Sequence, residues 1–540
     1  MDHDHHPDHH PDHHGRPGHP HHGHRPRHVT RRTALGLFGL AGATATLAAC
    51  SGDAAAPAAS GGATGTGTLR LGTNWPFVTF DAHDAIRAGA AGANYWRPAL
   101  DCLVHEDGEG RLTPGLAESW EMTAERIVLG LREGLLFHDG SACDAEAVVA
   151  NLERARADTL TQPGFRTVTA ITAADARTVE IALSAPAPLL PRLLSANAGM
   201  MISPAMFDQE DVARRPVGTG GWEYQQGESV EGQRYVYTRF ADYWDPDSVL
   251  VDRLELVQLV DASARLNAVL SGQVDLTAFD SAQALQADRD PLSLVGRPGQ
   301  RFTVAVLDRD GTTVPAFARA EARAALGWAL DREALVEGVM GGLGTPATSF
   351  VLPDQDGYDA ANDEIYGYDP DRARSLLAEA GFADGFSFPF PSIPAFQRVI
   401  EAVVEQWAEV GIRATIEPLD PSQYGPATQR GEYPIFLSPF FGGDMQEPME
   451  RFVGPTASTN PFQVDDGPAA EALAELQRTL DPDERDRVTA ETVGLVLEQG
   501  ILIPCFVGDQ TAVVRDGVEG VAWTYANDLA PQPYGVAVGG

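Results

Sequence analysis

The sequence predicts an α/β fold, and three observations carry that reading. Residues 68–72 (TLRLG), 126–132 and 251–260 (VDRLELVQLV) alternate apolar and polar side chains with the period of half-buried strands. Segments 144–156, 317–340, 370–380, 396–410 and 467–498 instead place their apolar residues at helical spacing, with further strands at 412–417 and 434–438. Strands and helices are interleaved rather than segregated, which excludes a β-sandwich and a helix bundle. The chain has 540 residues, of which 43% are hydrophobic, with a mean hydropathy of -0.18. That is enough for two or three domains of ~150 residues, each with its own core.

The elements follow in chain order. Residues 1–28 contain 12 of the 15 histidines, a composition that can bind metal. Arg31-Arg32 then precede a 17-residue apolar stretch, 33–49, which is shorter than the ~20 residues a spanning helix needs. The stretch ends in Leu47-Ala48-Ala49-Cys50, which resembles a bacterial lipobox. Residues 1–49 therefore read as a signal peptide, removed before Cys50, whose thiol accepts the lipid. The paired arginines suggest Tat export, although Ala34 replaces the usual large apolar residue. No Met lies between Met1 and Cys50, so Val29 is expected to be the true start and 1–28 an over-extension. Residues 51–67, rich in Ala, Gly, Ser and Thr, form a flexible linker from the membrane.

Beyond Cys50 only His83, His105 and His138 remain, too scattered for a histidine zinc site, and no cofactor or metal is expected. Cys102, Cys143 and Cys505 allow at most one disulfide, whose partners the sequence does not choose. All 39 basic residues are Arg against 76 acidic ones, a net charge of -37 that disfavours nucleic-acid partners. Asp144 is placed to cap the helix that follows it. His138-Asp139-Gly140 reads as a turn rather than a catalytic pair, because adjacent side chains cannot easily face each other. Gly218-Thr219-Gly220 lacks the Lys and following helix of a phosphate loop and reads as a second turn. Trp120, Trp244 and Trp328 are expected in cores. Neither a GxSxG elbow nor an HExxH helix occurs.

Several blocks carry a family resemblance. Pro114-Gly115-Leu116-Ala117-Glu118-Ser119-Trp120 leads to Leu131-Arg132-Glu133-Gly134-Leu135-Leu136-Phe137-His138-Asp139-Gly140, then Val148-Val149-Ala150-Asn151-Leu152. Pro216-Val217-Gly218-Thr219-Gly220, Tyr243-Trp244, Gly272-Gln273-Val274-Asp275 and the run from Arg323 to Arg332 follow in order. Together they resemble the family 5 extracellular solute-binding proteins of ABC importers, over about 68–525. The resemblance implies a two-lobed periplasmic-binding-protein fold of type II. Lobe one would be 68–261 with an inserted subdomain near 98–200, lobe two 262–500, and 501–540 would return to lobe one. Crossing segments near 251–261 and 500–512 would form the hinge.

The same resemblance points to the site. Phe440-Phe441-Gly442-Gly443-Asp444-Met445-Gln446-Glu447-Pro448 is similar to the stretch in which peptide-binding members hold the peptide's α-ammonium, and Asp444 falls on their Asp. A desolvated carboxylate selects for a free amine because an unpaired charge there is costly. A turn residue after two glycines is the plainer reading of Asp444. The Arg that clamps a dipeptide carboxylate has no counterpart in 386–394 (FSFPFPSIP), where Phe388 and Phe390, with Phe396 just beyond, would line an apolar wall. Trp75 and Trp222 are further cleft candidates. The expected protein is a monomeric lipoprotein on the outer face of the cell membrane, held by Cys50 alone. It would deliver a peptide or similar small amine-bearing solute to a permease and its ATPase subunits. A sugar, metal chelate or opine is the alternative solute, and a secreted hydrolase the alternative class.

Overall fold

The computed structural model describes residues 67–84, 92–157, 162–279, 281–287, 291–353, 355–441, 444–523 and 530–539. Cys50, the signal segment and most of the linker lie outside the described residues.

A nine-stranded sheet runs through the molecule in the order Ile435–Phe440, Leu292–Val306, Leu502–Arg515, Leu276–Phe279, Thr68–Thr73, Arg253–Gln258, Arg234–Arg239 and Trp222–Tyr224, with Gly344–Pro346 branching onto Leu502–Arg515. Thr68–Thr73 is parallel to both its neighbours, with Thr73 beside Gln258 at one end of the register. Leu292–Val306 and Leu502–Arg515 are long antiparallel partners, interrupted by register shifts at 298/300 and 302/303.

These two strands serve two cores. Phe302, Val304, Val306, Ile503 and Phe506 pack with helices Ala320–Trp328, Arg332–Met340, Pro370–Glu379 and Gln397–Glu409. At the other end Ala512 and Val514 join Leu69, Leu71, Tyr95, Trp222, Tyr235 and Leu254. The ribbon thus passes from one lobe to the other. The segment 251–261, expected to cross, instead stays with the first core as Arg253–Gln258. Its alternation reports one buried face, and sheet order cannot be read from alternation. Helices Ala262–Ser271 and Ser281–Ala287 pack between, in a small cluster with Val257, Leu292 and Val513.

The insertion has a core of its own. Four antiparallel strands, in the order Ala117–Met122, Arg126–Leu131, Thr178–Leu183 and Val168–Ala173, bury one face under helix Ala145–Ala157. Asp144 caps that helix by accepting from the Ala147 amide at 3.1 Å. Two of the family-like motifs join the insertion to the first lobe. The His138 amide donates to the Gly218 carbonyl at 2.8 Å, and the His138 Nε2 lies 2.9 Å from the Gly220 carbonyl oxygen. Both are turns, as expected, with Gly140 at φ +79.

Two long helical segments break where the chain chemistry demands it. Segment 317–340 divides at Asp331, which caps Arg332–Met340 by accepting from Ala334. Segment 467–498 divides at Asp481-Pro482, where Pro starts a new helix because it cannot donate within an old one. Cys102, Cys143 and Cys505 are all buried and unpaired with one another. Among the described residues no helix is long and apolar enough to cross a membrane.

Candidate functional site

Parallel strands end their polar ladder at the carboxyl edge, where the following loops open a crevice. Thr68–Thr73 and Arg253–Gln258 share that edge, and Leu259 donates to the Thr73 carbonyl at 2.8 Å. Trp75 leaves from it. Its amide donates to the Thr73 hydroxyl at 3.3 Å, and its carbonyl accepts from the Tyr95 hydroxyl at 2.7 Å. Gln258 accepts from the Phe77 amide at 2.9 Å. With the backbone pinned at three points the indole is left 38% exposed.

Asp444 lies on the other side, just before helix Gln446–Phe452. Its Oδ1 accepts from the Gln446 amide at 2.7 Å, the turn that the sequence suggested. Its Oδ2 faces two guanidiniums. Arg485 Nη2 donates to it at 3.1 Å from helix Pro482–Glu498 of the same lobe. Arg192 Nε stands 3.6 Å away and belongs to the inserted subdomain. Arg192 is itself held by the buried carboxylate of Glu106 and by the Gly110 carbonyl, the latter at 3.0 Å. Between them lies a cavity of about 210 Å³. Its lining comes from both sides: Glu109, Gly110 and Arg192 from the insertion, and Gln355, Asp356, Asp444, Arg485, Asp486 and Thr489 among those from the second lobe.

Four carboxylates and two guanidiniums line this space. Burial and the neighbouring charges of Asp356 and Asp483 raise the Asp486 carboxyl above its ordinary value, with Arg485 opposing. Glu447 is also raised, chiefly by burial, with Glu450 and Asp444 adding to it against Arg451. Negative charge is therefore crowded here beyond what the two arginines neutralise.

The remaining candidates sit elsewhere. Trp222 is fully buried in the first core, where its indole donates to the Val251 carbonyl at 3.2 Å and packs edge-on to Tyr534. Phe390 is fully buried in the second core and stacks on Trp407 at 5.8 Å between centroids. Phe388 is buried beside it, and Phe396 packs on Tyr424. Trp222, Phe388 and Phe390 support the lobes and offer a solute no surface, whereas Phe396 is only half-buried. In strand Phe386–Ser392 the period of two turns Phe386, Phe388 and Phe390 to one face, and helix Gln397–Glu409 covers it.

Arg192, Arg485, Asp356 and Asp486 escaped sequence reasoning. Arg192 had a signal: it is the lone charge in the run Leu189-Leu190-Pro191-Arg192-Leu193-Leu194. Arg485 had none, being one of two arginines in the polar first turns of helix Pro482–Glu498. The three histidines make structural bonds. His83 Nε2 lies 3.1 Å from the Met200 carbonyl, His105 lies 2.6 Å from Asp101, and His138 meets Gly220.

Comparison with known proteins agrees with this architecture. The glutathione-binding protein GsiB of Escherichia coli O157:H7 is 29% identical over 474 residues, covering 81% of this chain and 88% of its own. Among solved structures, AgaA of Agrobacterium tumefaciens R10 in complex with agropinic acid aligns with a TM-score of 0.71 at 23% identity, over 88% of this chain and 99% of that one. DppA of Helicobacter pylori in complex with the peptide STSA aligns with a TM-score of 0.72 at 17% identity, over the same shares. The model of the bacterial extracellular solute-binding proteins, family 5, middle region, matches residues 111–460, and the chain belongs to that family.

Proposed function

We propose that this chain is the lipid-anchored receptor of an ABC importer, and that it captures a peptide or similar amine-bearing solute between its lobes. The acidic cavity beside Asp444 carries the reading. A primary ammonium entering it finds an excess of carboxylates in a partly desolvated space, where charge-assisted hydrogen bonds are strongest. The volume is below that of a whole drug-sized site, so it suits one end of a solute. The name of GsiB and the peptide bound to DppA support this ligand class. The ribbon of Leu292–Val306 and Leu502–Arg515 would be the hinge, with solute contacts to both lobes available only on closure. The protein would work as a monomer, exported by Tat, lipidated at Cys50 and read in its closed form by the permease.

The test is calorimetric titration with glutathione, trialanine and N-acetyltrialanine. Saturable binding of a free-amine ligand is expected, without turnover, and acetylation should weaken it severely. Asp444→Asn should cost the free-amine ligand about 2–5 kcal/mol, or ~30-fold and upward, because one partner of a desolvated ion pair is lost. Equal binding of acetylated and free peptides, or an Asp444→Asn protein with wild-type affinity, would remove the amine assignment.

A further inference from the structure

We infer that Arg192 is a built-in stand-in for the solute's cation. It pairs with Asp444 across the cleft when no solute is present, and it sets how strongly amines bind. The displacement by an amine rests on the reading of Asp444 given above; the pairing across the cleft stands without it.

The geometry separates a resident partner from a visiting one. Arg485 and Asp444 belong to the same lobe, and Arg485 also donates to the Leu476 carbonyl at 3.3 Å, so the two move together. Arg192 moves with the insertion. Two of its three donor groups are committed there, Nη1 to Glu106 and Nη2 to Gly110, on the hairpin formed by Val104–Glu106 and Leu112–Pro114. Only Nε is directed to Asp444, and at 3.6 Å it is an ion-pair contact beyond good hydrogen-bond length. An alkylammonium brings three donors and can bond the same carboxylate at full strength. The replacement therefore gains hydrogen bonds. Arg192 loses only its weakest contact, and Glu106 keeps its charge paired.

Such a contact exists only when the lobes approach. It shifts the solute-free protein toward closure and competes with any cation that enters. A partly exposed pair of this kind corresponds to roughly a two- to fivefold change in the closed-to-open ratio.

Inter-lobe distance in the solute-free protein decides the pairing. Glu133 on the insertion and Asp371 on the second lobe are 88% and 94% exposed at their side chains and suit labelling through Glu133→Cys and Asp371→Cys in a Cys50→Ala background. Arg192→Gln and Asp444→Asn should each lower the closed-to-open ratio about two- to fivefold, the double variant no further, and Arg192→Lys should retain part of the effect. An unchanged distance distribution in Arg192→Gln overturns the pairing. Arg192→Gln should also bind trialanine about two- to fivefold more tightly, with no such gain for N-acetyltrialanine. Weaker trialanine binding would make Arg192 a solute contact and overturn the stand-in. If wild type binds neither peptide, the amine assignment fails while the distances still decide the pairing.

Discussion

His138, which the sequence places in a turn, is a fastener between the insertion and the first lobe. Burial pushes its imidazole down to about 4, against the opposing pull of the Gly220 carbonyl and the charge of Asp139. The folded protein therefore keeps it neutral, with Nε2 donating to Gly220. The unfolded chain takes up the proton near the ordinary value of about 6.5, so between ~6.5 and ~4 it binds more protons than the folded state. Stability from this residue is complete above ~6.5 and falls as pH drops through that window, by about 3 kcal/mol in all. The urea-midpoint difference between wild type and His138→Gln should shrink accordingly from pH 7 to pH 4. A native His138 titrating near 6.5 by NMR would refute it. At this scale the sequence was legible where chemistry is local, as in the cap at Asp144; the caps at Asp331 and Asp481 lie inside segments that read as continuous helices. It was illegible where a side chain's surroundings come from distant segments, as for Trp222 and Phe390, because an aromatic ring reads the same whether it faces a core or a cleft.

Between elements, the backbone approaches closely at the turn of Gly218–Gly220. At Gly220 a Cβ would stand 2.5 Å from the Pro98 carbonyl oxygen and 2.6 Å from the Ala99 carbonyl carbon, both backbone atoms. Gly220→Ala should therefore destabilise by roughly 1–3 kcal/mol through forced separation of the turn from the first lobe. Gly227→Ala, where nothing lies within 4 Å, should stay within about 0.5 kcal/mol. Denaturant midpoints of the two variants make the comparison, and equal midpoints would deny the turn its role. Many strands and helices were visible from periodicity, but helices Ala262–Ser271 and Pro421–Gln429, strand Leu292–Val306 and the breaks at Asp331 and Pro482 were not. Sheet order was not. Thr68–Thr73 finds its neighbours in Arg253–Gln258 and Leu276–Phe279, and no local pattern encodes such pairing. The crossing ribbon was misplaced at one of its two strands for the same reason.

For the molecule as a whole, the single lipid expected at Cys50 would be the only membrane attachment. Cys50→Ala should move the protein to the soluble extracytoplasmic fraction with solute affinity unchanged; persistent membrane association in fractionation would contradict the lipobox reading. The family was legible because its motifs hold the insertion to the first lobe. The cavity beside Asp444 was not, because Arg192 and Arg485 come from distant segments that meet Asp444 only after folding.

The position of Leu502–Arg515 in the middle of the sheet has a consequence for synthesis. It pairs with Leu276–Phe279 on one side and Leu292–Val306 on the other, so neither lobe's sheet is whole until the ribosome has made almost the entire chain. Tyr534, later still, closes onto the Arg97 carbonyl across 437 residues at 2.9 Å. At ~5–20 residues per second, the first-lobe strands wait on the order of tens of seconds for their last partner. During that interval Leu276–Phe279 presents an unsatisfied edge. Holding factors are expected to engage the nascent protein until residue 515 has emerged, and an export route that accepts only finished folds would have to act after that point.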